Sequence, residues 1–385
     1  MVDIQKIVNL NFKVVEPTRS ATQYNNVLYI KKSTAGADTP TVSTDVAYNI
    51  FTTLCPNGVV YVWNCSAMDT AFYTKLLDYK KSCFGTDKDF ISVVIDEAFL
   101  GLSTDSKSRT LPTIVTDYVS KVAAPYKLMF FTSLRIAVTG AASPNTMAIV
   151  KDTLAAWKSI TNGEYIGAMI YNSDTPIIAA LELAAYLANI HLDDGNAFAD
   201  ICYTDMSAVK SLFGTNYNLD AGADYDTLIA NGNFNDTVTT NYVLFGGNMV
   251  DGTPITVSYG AICAENDTII AVLNALLRKL PLNDSGLASV VSTINEAMRR
   301  YTQNGYLHVG GSYAGETTYS NYAGAQNILL ITKGQALSLG YLVATVPMSY
   351  LTLTDRKDKR FTTINVFMQT LGGARTITID GTILS

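Results

Sequence analysis

The two histidines are the residues from which acid–base or metal chemistry would ordinarily start. His191 and His308 are the only histidines in the 385 residues. Neither has a carboxylate at a spacing used for metal ligands or for a general base. We therefore interpret both as structural residues, and the search for chemistry moves to other residue types.

Motifs that activate a nucleophile or hold a phosphate are absent or incomplete. The sequence contains no P-loop, no H-E-x-x-H and no G-x-G-x-x-G. Residues 310–314 (GGSYA) lack the second glycine of a nucleophile elbow. Asp193 with Asp194, and the three aspartates between 220 and 226, lack the ligand spacing and turn glycine of a calcium loop. The sequence thus predicts no catalytic residue, no metal site and no cofactor, and indicates that the protein is not an enzyme.

Composition points to a surface that other molecules cover. Charged residues make up 16% of the chain and hydrophobic residues 48%, whereas an average soluble protein is about 25% charged. The 23 tyrosines suit interfaces as well as cores. A net charge of -6 argues against nucleic acid or an anionic membrane as the main partner. The five cysteines have irregular spacings and predict no disulfide framework, as expected for folding in a reducing cytoplasm.

No segment predicts membrane insertion or export. The most apolar segment, residues 177–190, contains Glu182 and is shorter than the roughly 20 apolar residues that a spanning helix needs. We expect a buried helix there. Residues 1–12 lack the charged start, apolar run and cleavage site of a signal peptide.

Hydrophobic periodicity predicts an α/β fold. Apolar strands at 91–96, 127–133 and 166–173 alternate with helical patterns, which is typical of βαβ units in a sheet covered by helices. A smaller strand and helix pattern precedes them. Further elements are expected as strands at 26–32, 59–64, 241–247, 253–260, 341–346, 361–368 and 376–383, and as helices at 44–54, 68–83, 112–124, 145–159, 176–190, 268–279 and 287–301.

The last 44 residues of this pattern carry a family resemblance. Residues 340–383 (GYLVATVPMSYLTLTDRKDKRFTTINVFMQTLGGARTITIDGTI) are similar to the C-terminal region of contractile bacteriophage tail sheath proteins. They combine a strand, a D-R-x-x-R type segment with one extra residue, another strand, a Gly-Gly-Ala turn and a last strand. The order of upstream segments also fits: AAYLANI, GNFND, FGGNMVDGTPITV and KLPLNDSG. The chain resembles a sheath subunit over roughly its C-terminal half.

The resemblance implies a structural subunit that polymerises as stacked hexameric rings around an inner tail tube and contracts to drive the tube through the host envelope. The expected partners are other copies of the chain, the inner tube protein, the baseplate and the tail terminator, in a virion assembled in the host cytoplasm. In this family neighbouring subunits exchange terminal arms. The implied strand-exchange positions are Val8, Leu10, Phe12, Val14, Ile364, Val366, Ile377 and Ile379. The implied tube-facing residues are Arg356, Lys357, Lys359 and Arg360.

The expected division is an N-terminal arm (1–20), a small α/β subdomain (21–86), an α/β sheath core (87–345) and a C-terminal hairpin with an arm (346–385). Hinges are expected at 17–22 and 371–375. The main alternative is an α/β enzyme or small-ligand-binding protein, which would carry a deep polar pocket at the carboxyl ends of the three central strands. A second alternative is another self-assembling shell or tube component.

Overall fold

The computed structural model describes residues 24–44, 46–100, 113–136, 146–173, 177–199, 201–213, 224–238, 241–320, 327–370 and 373–379. The predicted N-terminal arm, with its strand positions Val8, Leu10, Phe12 and Val14 and its hinge at 17–22, lies outside these residues.

An eight-stranded mixed sheet forms the centre of the molecule, in the order β2-β3-β1-β4-β5-β6-β7-β8. The six strands from β3 to β7 run parallel, while β2 and β8 are antiparallel at the two edges. All six residues of β4 are buried, as expected for a parallel strand with helices on both faces. The strands are β1 (Asn26–Lys32), β2 (Thr41–Val42), β3 (Val59–Cys65), β4 (Phe90–Ile95), β5 (Met129–Ile136), β6 (Ile166–Asn172), β7 (Asn233–Val238) and β8 (Asn241–Phe245).

The sheet crosses the predicted boundary between residues 86 and 87. β1 lies between β3 and β4 and pairs with both, so Leu28 is opposite Tyr61 on one side and Val93 on the other. The predicted small subdomain therefore does not form a separate sheet. Its strands share one hydrophobic core with the rest of the molecule. Sequence order suggested two units because the chain leaves the sheet and returns on the opposite side of β1.

Helices connect the strands and cover the sheet. The N-terminus of the helix Thr70–Cys83 is capped by Asp69, which accepts a hydrogen bond from the Phe72 amide at 2.9 Å. α3 continues through a π-helical turn (Val119–Ala123) and a last turn (Ala124–Tyr126). The helices are α1 (Val46–Leu54), α2 (Thr70–Cys83), α3 (Thr113–Tyr118), α4 (Met147–Lys158), α5 (Ala180–Ala188), α6 (Ser207–Phe213), α7 (Tyr225–Asn231), α8 (Ile255–Leu277), α9 (Asp284–Gln303) and α10 (Leu353–Lys357).

α8 corrects one prediction. Residues 253–260 were expected to form a strand, but from Ile255 onward they are the first two turns of this 23-residue helix. Nearly every residue from Ile255 to Ile270 is buried, so the helix has no polar face to reveal a period of 3.6. By length and composition α8 could span a bilayer, but most of it is buried inside the protein, which is typical of a core helix.

A second, three-stranded antiparallel sheet lies in the C-terminal part, in the order β13-β14-β15. Tyr341, Val366 and Met368 pack on the core that contains α9, while Phe367 packs on the layer formed by the short strands. The predicted boundary at 345/346 separates β13 from its partner β14, so this sheet is also one unit. These strands are β13 (Tyr341–Thr345), β14 (Ile364–Thr370) and β15 (Gly373–Ile379); the short ones are β9 (Gly311–Ser312), β10 (Thr318–Ser320), β11 (Ile328–Ile331) and β12 (Ala336–Leu337).

Candidate assembly interface

The β8 edge of the main sheet is covered by its own chain. The amides of Tyr203 and Met206 donate to the carbonyls of Leu244 and Tyr242, both at 2.7 Å. In return, the Leu244 amide donates to the Thr204 carbonyl at 2.9 Å. These bonds occupy the groups that would otherwise receive another strand, so this edge is protected against strand addition.

The opposite edge, on β3, is covered by the segment that follows β1. The Ser33 and Ser43 amides donate to the carbonyls of Cys65 and Val60 at 2.9 and 2.8 Å. β2, within this segment, has only two residues and is too short to template a long strand. The main sheet thus offers little room for pairing with another subunit.

The C-terminal sheet is different, because its outer strands are paired on one side only among the described residues. β14 is the central strand, and Ile364 and Val366 are buried in the core. Their register partners on β15 are Ile379 and Ile377. Four of the sequence-predicted exchange positions therefore meet in one strand pair. Within a single chain both sides of β14 are occupied, so Ile364 and Val366 can serve exchange only as the template that receives a strand.

A groove of about 620 Å³ runs between α9 and the start of β13. The Tyr341 hydroxyl donates to the Asn295 carbonyl at 3.1 Å and fixes one wall. Leu339, which also lines the groove, is 48% exposed. The other lining residues are Ala288, Val291, Ser292, Glu296 and Arg299. Sequence reasoning did not predict this groove, because it depends on how a helix and a strand pack.

The predicted tube-facing residues lie together on one exposed turn. α10 begins with a capping box in which the Asp355 amide donates to the Thr352 hydroxyl oxygen and the Asp355 carboxylate accepts from Thr352. The tip of the turn carries exposed basic side chains and Leu353, which is 88% exposed. Sequence reasoning missed Leu353. The basic residues are Arg356, Lys357 and Lys359, which are exposed, and Arg360, which is partly buried and 3.7 Å from Asp358.

The alternative of a ligand site can be judged where β1 and β4 end, since the strand order reverses there and α/β proteins bind ligands at such points. The Lys32 amide donates to Asp96 Oδ2 at 3.2 Å, and its ammonium donates to the Ala98 carbonyl at 2.8 Å. The Asp96 amide donates to the Ile30 carbonyl at 3.0 Å. These hydrogen bonds join the ends of β1 and β4 to the residues that directly follow them.

Neighbouring strand ends carry a small ionisable cluster. The Tyr171 hydroxyl donates to Glu97 Oε2 at 3.0 Å, and Arg135 Nε lies 3.7 Å from Glu97 Oε1. Burial raises the pKa of Glu97 to about 7, although Tyr171 and Arg135 lower it. Among the described residues no three His, Cys, Asp or Glu side chains form a metal-binding group, and the side chains of His191 and His308 are exposed.

Three comparisons place the chain among known proteins. Residues 262–382 match the family model for the C-terminal domain of E217 tail sheath protein gp31-like proteins. No curated protein matches the sequence. The predicted resemblance of the C-terminal part to phage tail sheath proteins is confirmed by this match, which begins inside α8 and includes the whole C-terminal sheet.

Two solved structures are similar to parts or most of the chain by structural comparison. A sheath tail protein from Desulfitobacterium hafniense is 7% identical, with 94% of this chain and 97% of that chain covered at a TM-score of 0.49. An A-type ketoreductase from a modular polyketide synthase is 14% identical, with 46% and 36% covered at a TM-score of 0.24.

Proposed function

Since the C-terminal part of this chain matches the phage tail sheath family, we propose that it is the structural subunit of a contractile tail sheath. It polymerises as stacked hexameric rings around an inner tail tube and contracts to drive the tube through the host envelope. The observation that carries the assembly mechanism is the contrast between two sheets. Both edges of the main sheet are covered by the chain itself, whereas the outer strands of the C-terminal sheet are paired on one side only within the described residues.

Exchange of arms uses this second sheet. An arm at 1–20 with Val8, Leu10, Phe12 and Val14 on one face adds to the outer side of β13, where the groove beside α9 receives its apolar side chains. β15 of another copy replaces the chain's own β15 on β14 in the register Val366 to Ile377. Such contacts join different surfaces of successive copies and do not close on themselves, so they extend into a tube.

Contraction follows from the separation of a rigid core and its arms. The shared hydrophobic core moves as one body, and the segments at 17–22 and 371–375 absorb the change in angle between subunits. The free energy comes from new contacts between subunits in the shorter state. No nucleotide is needed, and the baseplate and tail terminator fix the two ends of the polymer in the virion.

The exposed turn at α10 faces the inner tube. Arg356, Lys357 and Lys359 present positive charge, and Leu353 adds an apolar contact at the same place. An acidic tube surface would complement this turn and set the register between sheath and tube. The alternative of an α/β enzyme or small-ligand-binding protein has less support, since the family match is to a tail sheath protein.

Negative-stain electron microscopy of the purified chain at high concentration tests the assembly. We expect long hollow tubes from the full-length chain and none from a variant that lacks residues 1–16, because the deletion removes the exchanged strand. A variant in which Val8, Leu10, Phe12 and Val14 become serine keeps the length of the arm and should behave like the deletion. Globular particles of one size from the full-length chain would contradict the sheath role, and tubes from both variants would contradict exchange of this arm.

A further inference from the structure

A buried polar cluster around Asp267 joins segments that are far apart in the sequence. Asp267 lies in the middle of α8 and is 6% exposed. Its Oδ1 accepts from the Tyr24 hydroxyl at 3.2 Å, and its Oδ2 accepts from the Tyr301 hydroxyl at 2.6 Å. Arg300 Nη1 lies 3.5 Å from the same Oδ2, and Arg300 Nε forms an ion pair with Asp193 at 2.7 Å. A buried carboxylate is costly without such partners, so the side chains of Tyr24, Tyr301 and Arg300 hold Asp267 in place.

Tyr24 gives the cluster its position in the assembly mechanism. It follows the segment proposed as the N-terminal arm, and only Asn25 separates it from β1. Its ring is buried, with 2% of its surface exposed. Tyr24 therefore ties the chain just before β1 to α8, a helix that the family match includes in part.

β14, which precedes the strand proposed for exchange, ends close to the C-terminal end of α9. The Tyr301 carbonyl accepts a hydrogen bond from the Leu307 amide at 3.0 Å. Leu307 in turn forms a β-bridge with Thr370, the last residue of β14, and β15 begins at Gly373. Tyr24 and the last residue of β14 thus both reach Tyr301 through two contacts.

We propose that the Asp267 cluster is the anchor of the N-terminal arm: it ties Tyr24 to α8 and α9 and thereby sets where the arm leaves the subunit. This is a positioning role, and it rests on the proposed exchange of arms. Through the anchor, a force on the arm acts on α8 and α9. Of these two helices, α9 packs against the C-terminal sheet, which contains β15, the strand proposed for exchange. Tyr24 and Tyr301 share one acceptor group, so the loss of either hydroxyl weakens the link between the arm and the helices.

Conservative variants test the anchor. Tyr24→Phe removes one hydroxyl and keeps the ring, and Asp267→Asn removes the charge with little change in shape. Tyr118→Phe is the matched control, because Tyr118 is fully buried in α3 and its hydroxyl has no hydrogen-bond partner among the described residues. Amide hydrogen exchange of the monomer measures local opening near Tyr24. Sedimentation measures the critical concentration for polymerisation, and the Tm measures the stability of the whole fold.

We expect amide exchange at residues 24–28 to be about fivefold to tenfold faster in Tyr24→Phe than in the control, because one buried hydrogen bond is lost. The critical concentration should rise by about fivefold while the Tm values of the two variants stay within a few degrees. Equal exchange in Tyr24→Phe and Tyr118→Phe, or faster exchange with an unchanged critical concentration, would overturn the proposal. Should Asp267→Asn fail to fold, Tyr24→Phe still decides. If the wild-type chain forms no polymer, the proposed function fails. The comparison of amide exchange between Tyr24→Phe and Tyr118→Phe then still shows whether the hydrogen bond to Asp267 stabilises the start of β1.

Discussion

Burial of Glu97 gives the folded chain a carboxyl group that titrates near neutral pH. Its partners Tyr171 and Arg135 both favour the ionised form, but desolvation outweighs them and raises the pKa to about 7 from the usual 4.5. A perturbed carboxyl group at strand ends often marks an active site. Here its described surroundings are a hydroxyl and a guanidinium of the chain itself.

This pKa predicts a pH dependence of stability. Between about pH 4.5 and 7 the folded chain binds a proton at Glu97 that the unfolded chain has lost, so the free energy of unfolding falls as pH rises through this window. We expect the free energy of unfolding, measured in urea, to fall between pH 5 and pH 8. The fall should be about 2 kcal/mol smaller in Glu97→Gln than in wild type. Asp78→Asn, at an exposed ion pair, is the control. An equal decrease in the free energy of unfolding in wild type and Glu97→Gln would contradict the raised pKa of Glu97.

The basic turn at α10 supplies a second prediction at the scale of residues. Replacing Arg356, Lys357 and Lys359 by alanine should leave monomer stability within about 0.5 kcal/mol, because these side chains are exposed. It should abolish co-sedimentation with purified inner tube protein from the same particle, and tubes should still form without that protein. Arg278→Ala with Lys279→Ala removes exposed basic charge elsewhere and should keep binding. Equal binding of the tube protein by both variants would show that the turn does not contact the inner tube.

At the scale of elements, β15 decides whether the C-terminal strand is exchanged. Val366 and Ile377 are register partners, and facing residues on antiparallel strands have Cβ atoms about 4.5–5.5 Å apart, near the range of a disulfide. We predict that Val366→Cys with Ile377→Cys, oxidised after polymerisation, gives a ladder of covalent multimers on a non-reducing gel. Oxidation of the dilute monomer should give an internal crosslink only.

The experiment needs a suitable background, since the chain has five free cysteines. Four of them are buried, so Cys202→Ser removes the partly exposed one. Each single cysteine variant in that background controls for crosslinks outside the strand pair. If the oxidised polymer gives only monomers with an internal crosslink on the gel, β15 stays paired with β14 of its own chain.

The elements that sequence reasoning placed correctly share a visible pattern. β1, β4 and β6 are continuous apolar runs between polar turns, and α9 alternates buried and exposed positions with a helical period. α8 was partly misjudged because a helix buried on all sides has no such period. Its first turn, with Ile255, Thr256 and Val257, is rich in β-branched residues that favour strands. Tertiary burial overrides that local preference.

At the scale of the whole molecule, the shared main sheet unites segments that the sequence separates. The strand order places β1 between β3 and β4, although β3 comes between them along the chain. Local periodicity contains no information on which strands become neighbours, so it does not show that β1 pairs with strands on both sides of the boundary expected at 86/87. The same limit applies to the Asp267 cluster, whose hydrogen bond from Tyr24 spans 243 residues.

The sequence by itself determined the α/β class, most strands and helices, the scarcity of catalytic groups and the relationship to tail sheath proteins. These depend on residue type, spacing and period, which are local properties. Only the tertiary structure decided that the main sheet is covered at both edges, that β14 is the central strand of a second sheet, and that Tyr24 is tied to α8. Those features arise from hydrogen bonds and packing between distant segments, and which segments meet is fixed by the burial of the entire core.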